Sequence, residues 1–246
     1  MFSLNTTLLL NLIFFVAAVV PAVTGFGGGL VAIPIMTLFM SPKIAVPLLT
    51  LVWLAIDIPL TIECRKEINY KRVGLMFAGA ALTVPLGVFG LAGFSSSVIE
   101  IIMSVIIILT CVLFLNNIRW KISRESLALF IIGLSSGVLE GMLAMGGPPV
   151  MLLGVNQQWE EKELRANAIA YFLMTKTFRI PLLIYTGLLD GQLALAGLTT
   201  LFGIVLGCYL GTRLLKKRVL ARRQLLTKLI LILLMITAST VLIRRL

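Results

Sequence analysis

Long apolar runs, separated by short polar or basic loops, fill the chain from end to end. Such runs cover residues 44–62, 73–93 and 98–115 in the first half, and 166–187, 193–214 and 224–243 in the second. Each is close to the roughly 20 residues that a helix needs to cross a bilayer. Two further stretches, 7–40 and 126–155, are apolar but interrupted. The first contains Gly25-Phe-Gly-Gly-Gly-Leu-Val-Ala-Ile-Pro34, the second Gly141-Met-Leu-Ala-Met-Gly-Gly-Pro-Pro149. Neither reads as an unbroken span, so each is predicted to be a hairpin of short or broken helices. The pattern predicts an all-α, polytopic integral membrane protein with no stretch left over for a soluble domain.

Composition agrees. Of 246 residues, 59% are hydrophobic and 13% charged, with a mean hydropathy of +1.08. The formal charge of +11 invites a nucleic-acid reading. The basic residues, however, gather in loops 63–72, 116–125 and 215–223, as expected of cytoplasmic loops in a membrane protein. No nucleic-acid partner is expected; the basic loop that includes Lys216, Lys217 and Arg218 suits anionic lipid heads instead. Met1 to Thr7 holds no Lys or Arg, so no cleaved secretory signal is expected. The three cysteines, Cys64, Cys111 and Cys208, have no metal-type spacing, and the chain has no histidine. Neither an enzyme, a metal nor a cofactor is expected.

Placing the basic loops in the cytoplasm puts the uncharged turns 94–97 and 188–192 outside. Segment 126–155 must then leave and re-enter from the cytoplasm, and segment 7–40 from the outside. Both termini fall outside, although Arg244 and Arg245 there run against the charge rule. Each half reads as one hairpin and three spans, an odd number of crossings, which inverts the second half relative to the first. The residues support this. Gly25-Phe-Gly-Gly-Gly29 aligns with Ala144-Met-Gly-Gly-Pro148, Asp57-Ile-Pro-Leu60 with Arg179-Ile-Pro-Leu182, and Pro85-Leu-Gly-Val88 with Val205-Leu-Gly-Cys208, at offsets of 119, 122 and 120. Residues 1–115 and 126–246 are therefore predicted to be two inverted repeats forming one transport domain.

Paired glycine/proline breaks in inverted repeats mark secondary transporters that bind substrate near the membrane midplane. An unwound stretch frees backbone N–H and C=O groups, which hydrocarbon cannot satisfy. Such a stretch is tolerated where protein, water or a ligand meets those groups. Helix starts after a break present N–H groups to an anion. Close helix packing is the competing use of the same small residues.

Gly25-Phe-Gly-Gly-Gly-x-x-x-Ile-Pro34, Gly141-x-x-Ala-Met-Gly-Gly-Pro-Pro149 and Leu164-Arg-Ala-Asn167 together resemble the sulfite exporter TauE/SafE family, over essentially the whole chain. The resemblance implies an inner-membrane permease for small sulfur-containing anions, typically sulfite or organosulfonates, usually exported. One departure is visible: the second motif usually reads Gly-x-Gly-Gly-Pro, and Ala144 replaces its first glycine.

Charged residues inside spans complete the candidate site. Lys176 and Arg179 lie three apart, on one helix face. A guanidinium's paired donors suit anionic oxygens, so Arg179 is the leading ligand. Two readings stay open: Arg179 binds substrate, or it pairs with Asp57, its repeat-related partner. Lys176 either adds charge or snorkels towards an interface. Glu140, just before the second break, either titrates and couples transport to protons or accepts from freed backbone N–H groups. The substrate site is assigned to Gly27, Gly28, Gly29, Met145, Gly146, Gly147, Arg179 and Lys176, with Asp57 and Glu140 in gating or coupling. The predicted function is export of a sulfur anion by alternating access, with protons as candidate coupling ion and a homo-oligomer left open. The alternatives are a passive anion channel, or an importer, on the same scaffold.

Overall fold

A computed structural model of the protein describes residues 3–24, 27–115 and 124–218, together with 235, 239–241 and 243. Gly25 and Phe26, the basic residues Arg119, Lys121, Arg222 and Arg223, nearly all of the last expected span 224–243, and Arg244 and Arg245 lie outside the described residues.

The described elements are helices throughout. Chain order is α1 Leu4–Thr24, α2 Gly28–Thr37, α3 Pro42–Glu63, α4 Tyr70–Gly93, α5 Ser96–Leu115, α6 Glu125–Leu143, α7 Gly147–Asn156, α8 Glu161–Tyr185, α9 Gly191–Thr199 and α10 Leu201–Arg218. Helices α3, α4, α5, α6 and α8 are long and apolar enough to cross a membrane. Side chains such as Leu82 and Leu86 on α4 are exposed, as lipid contact requires of an apolar outer face. The two interrupted stretches form the expected hairpins, but with unequal arms: 21 residues against 10 in α1 and α2, and 19 against 10 in α6 and α7. Each long arm is about 30 Å at 1.5 Å per residue, so both breaks sit deep in the molecule.

Two helix pairs carry the most extensive packing, α4 with α6 and α1 with α10. Glycine makes both contacts close. A Cβ on Gly133 would lie 2.0 Å from the Met76 carbonyl oxygen, and one on Gly141 2.4 Å from that of Val84. Contacts that advance together along both helices mean that α4 and α6 run parallel. Their starts are joined by Arg72, which pairs with Glu125 at 2.8 Å and with Glu163 of α8 at 2.5 Å. In the same way Gly203 meets the Asn11 carbonyl and Gly207 that of Phe15, so α1 and α10 also run parallel. Of the glycines in α4, Gly79 and Gly87 meet α6 backbone, while Gly74 and Gly93 have no neighbour where a Cβ would sit.

One expected span is different. Residues 193–214 form a helix broken by 43° between α9 and α10. The break needs no proline because Asn11 of α1 satisfies the freed groups. Its side-chain amide donates to the Thr199 carbonyl at 3.1 Å, and its carbonyl accepts from Gly203 N–H at 2.8 Å. The partner lies 188 residues away from Thr199, so local sequence carries no sign of the bend.

Candidate functional site

The first break turns at Gly27, whose φ of 96° and ψ of 5° place it in the left-handed region that glycine enters without penalty. Helix α2 starts immediately after it. The second break turns at Ala144, also left-handed at φ 55° and ψ 34°. A Cβ in that conformation costs roughly 1–2 kcal/mol. The turn is held by Ala144 N–H donating to the Glu140 carbonyl at 3.1 Å and Met145 N–H to that of Leu139 at 3.4 Å. The two breaks touch. A Cβ on Gly29 would lie 2.5 Å from the Ala144 carbonyl oxygen, so a bare α-carbon is what lets the turns abut.

Helix α8 passes this junction and supplies both expected cations. Arg179 is fully buried. Its two terminal nitrogens donate to the Glu140 backbone carbonyl and the Thr50 hydroxyl, and one lies 3.4 Å from the Glu140 carboxylate. Its Nε has no partner among the described residues. Lys176 donates to the Asp57 carboxylate in a buried pair, and its ammonium lies 5.7 Å from the Trp53 ring centre and 5.5 Å from that of Phe172.

These contacts change the pairing read from the repeat. Asp57 is the partner of Lys176, and Arg179 is the partner of Glu140. Residues three apart on a helix share a face but diverge by about 60°. That angle separates Lys176, which meets Asp57 of α3, from Arg179, which reaches Thr50 of α3 and the end of α6. Lys176 therefore does not snorkel; its charge is met inside the protein. Glu140 also accepts from Gly146 N–H at 3.0 Å, while the Ser136 hydroxyl donates to the Gly146 carbonyl at 2.6 Å. The carboxylate does hold a backbone group freed by the break.

Between the breaks and α8 lies a cavity of about 110 Å³. At about 10–15 Å³ per water on that measure, it has room for a small ion with some of its hydration. Gly27, Gly28, Gly29, Asp57, Glu140, Met145, Gly147, Lys176 and Arg179 all line it. Gly146 is not among the lining residues, and its N–H and C=O are both already taken by α6 side chains. Sequence reasoning did not assign Trp53 or Arg165, which line it too. Spacing could have found Arg165, since positions 165, 169, 172, 176 and 179 fall along one face of α8. Nothing local marks Trp53.

Residues 10–241 match the family model described as sulfite exporter TauE/SafE. The chain belongs to the TauE/SafE family. A TauE/SafE relative, named a probable sulfite/organosulfonate exporter TauE, from Cupriavidus necator, is 26% identical over 200 residues, covering 78% of this chain and 77% of the relative. No solved structure matches. With its apolar helices, this TauE/SafE member is a multi-pass membrane protein.

Proposed function

We propose that the protein is an inner-membrane secondary transporter that exports a small sulfur-containing anion, such as sulfite or an organosulfonate, by alternating access. The observation that carries this reading is the cavity between the two breaks, where a fully buried arginine and a buried lysine meet the start of α2. Residues 28–30 at that start have N–H groups without intrahelical acceptors, and the helix dipole favours negative charge there. At the start of α7 two prolines, Pro148 and Pro149, remove donors, so α2 offers the richer anion contact. Arg179 Nε is a buried donor without a partner among the described residues.

The carboxylates balance the two buried cations when the site is empty. Asp57 occupies Lys176, and Glu140 occupies Arg179. An entering oxyanion competes for the same cations. Protons are the candidate coupling ion, with Asp57 and Glu140 in gating or coupling because they hold the cations for which the anion competes.

Alternating access rests on the two halves, 1–115 and 126–246, being inverted repeats. The exchange of packing partners supports this: the long hairpin arm of each half packs in parallel on the second helix after the hairpin of the other, α1 on α10 and α6 on α4. The basic loops face the cytoplasm and both termini the outside, by the charge argument.

The test is flux of sulfite and of methanesulfonate in proteoliposomes, with and without a proton gradient. Arg179→Ala is expected to lower flux by about 100-fold, from loss of a charge-assisted, two-armed contact. Arg179→Lys, which keeps the charge but not the fork, is expected to recover only part of it. Intact flux in Arg179→Ala together with intact flux in Gly146→Leu, which forces a side chain against Ser136 and Glu140, means the site is elsewhere.

A further inference from the structure

Three cations line the cavity and two carboxylates answer them. Lys176 is held by Asp57 and Arg179 by Glu140. Arg165 is the third, and no carboxylate among the described residues lies within ion-pairing distance of its guanidinium. It sits on the same face of α8 as the other two, about 16 Å from Lys176 at 1.5 Å per residue. Burial grades along this face. Arg179 and Lys176 are buried, whereas Phe172, Ile169 and Arg165 are half-buried. Arg165 therefore marks the open end of the cavity, flanked by Leu60 of α3 and Cys208 of α10.

Two residues along, Asn167 is fully buried, and its side-chain carbonyl accepts from Asn69 N–H at 2.7 Å. The helix is anchored on that side, while the guanidinium on the cavity side remains uncommitted. A half-buried cation at the mouth of a cavity raises the local concentration of anions.

We propose that Arg165 is an anion-capturing residue at the cavity mouth, taking the oxyanion of a sulfite or sulfonate through paired N–H donors before it passes to Lys176 and Arg179. This rests on the transport reading above. Cys64 offers a reporter that does not depend on transport. Burial pushes its thiol up, and the nearby Arg165 charge pulls the other way. An anion on Arg165 cancels that pull.

The experiment measures alkylation of Cys64 by peptide mass spectrometry on detergent-purified full chain, at constant pH and ionic strength, over a methanesulfonate titration. Wild type is expected to show saturable slowing. Arg165→Gln is expected to be slow from the start and insensitive to the anion, and Arg165→Lys to respond as wild type does. In proteoliposomes, Arg165→Gln is expected to raise KM for sulfite about tenfold with kcat nearly unchanged. Anion slowing that is absent in wild type, or identical in Arg165→Gln, overturns the proposal, as does an unchanged KM. If wild type moves neither probe while the Arg165-dependent slowing persists, the transport reading fails and the mouth site stands. Flux with an unchanged KM in Arg165→Gln sinks the mouth site and leaves the transport reading intact.

Discussion

Removing Asp57 isolates the charge of Lys176, and the cost can be worked from the contacts. The two side chains are 8% and 11% exposed, so the pair is buried. Breaking a buried pair by deleting one partner costs about 3–5 kcal/mol, mostly as the penalty of the orphaned charge. Lys176 keeps the faces of Trp53 and Phe172, which return about 0.5–2 kcal/mol. Asp57→Asn is thus expected to destabilise by about 3 kcal/mol, or on the order of 10 °C in apparent Tm for a chain of this size. Adding Lys176→Met removes the orphaned charge, and the double variant is expected to recover most of that loss. The assay is thermal unfolding in detergent, read by tryptophan fluorescence for wild type, both single variants and the double. Rescue of Asp57→Asn by Arg179→Leu rather than by Lys176→Met would refute the pairing seen here and restore the one read from the repeat. An Asp57→Asn protein as stable as wild type would refute the burial argument itself.

Gly29→Ala places a methyl 2.5 Å from a backbone oxygen that cannot rotate away, so the two breaks must separate; a loss of about 1–3 kcal/mol and of sulfite flux is expected from unfolding and transport measured together. Asn11→Leu leaves the Thr199 carbonyl and Gly203 N–H unpaired at the bend between α9 and α10, with an expected cost of about 1–3 kcal/mol per group; hydrogen exchange at residues 199–203 should rise if the bend depends on this side chain, and stay unchanged if it does not. Burial holds the Cys64 thiol above its ordinary value of 9.0, so its alkylation should accelerate only above that pH; half-maximal reaction below it would contradict the buried setting.

Fold class was legible because a bilayer imposes a length and a polarity on every crossing segment. The apolar runs, the basic loops and the two glycine-proline interruptions carry that information locally. The positions of the breaks were legible for the same reason: Gly27 and Gly147 stand at helix starts whatever surrounds them. So was the presence of charge within spans, since Asp57, Glu140, Lys176 and Arg179 are conspicuous in apolar sequence. Which charge meets which was not legible. Repeat alignment matches Asp57 to Arg179 as equivalent positions, but equivalence under a two-fold relation does not make two residues neighbours. The left-handed turn at Ala144 decides where α6 ends, and so delivers Glu140 to Arg179. The bend between α9 and α10 depends on Asn11, at the far end of the chain. Trp53 and Arg165 line the cavity only because α3 and α8 pack side by side. Sequence alone determined a helical membrane protein with two interrupted segments and four charges to explain. Tertiary structure decided the pairing of those charges, because ion pairs form between side chains that packing brings together, here across 119 residues of chain for Asp57 and Lys176 and 39 for Glu140 and Arg179.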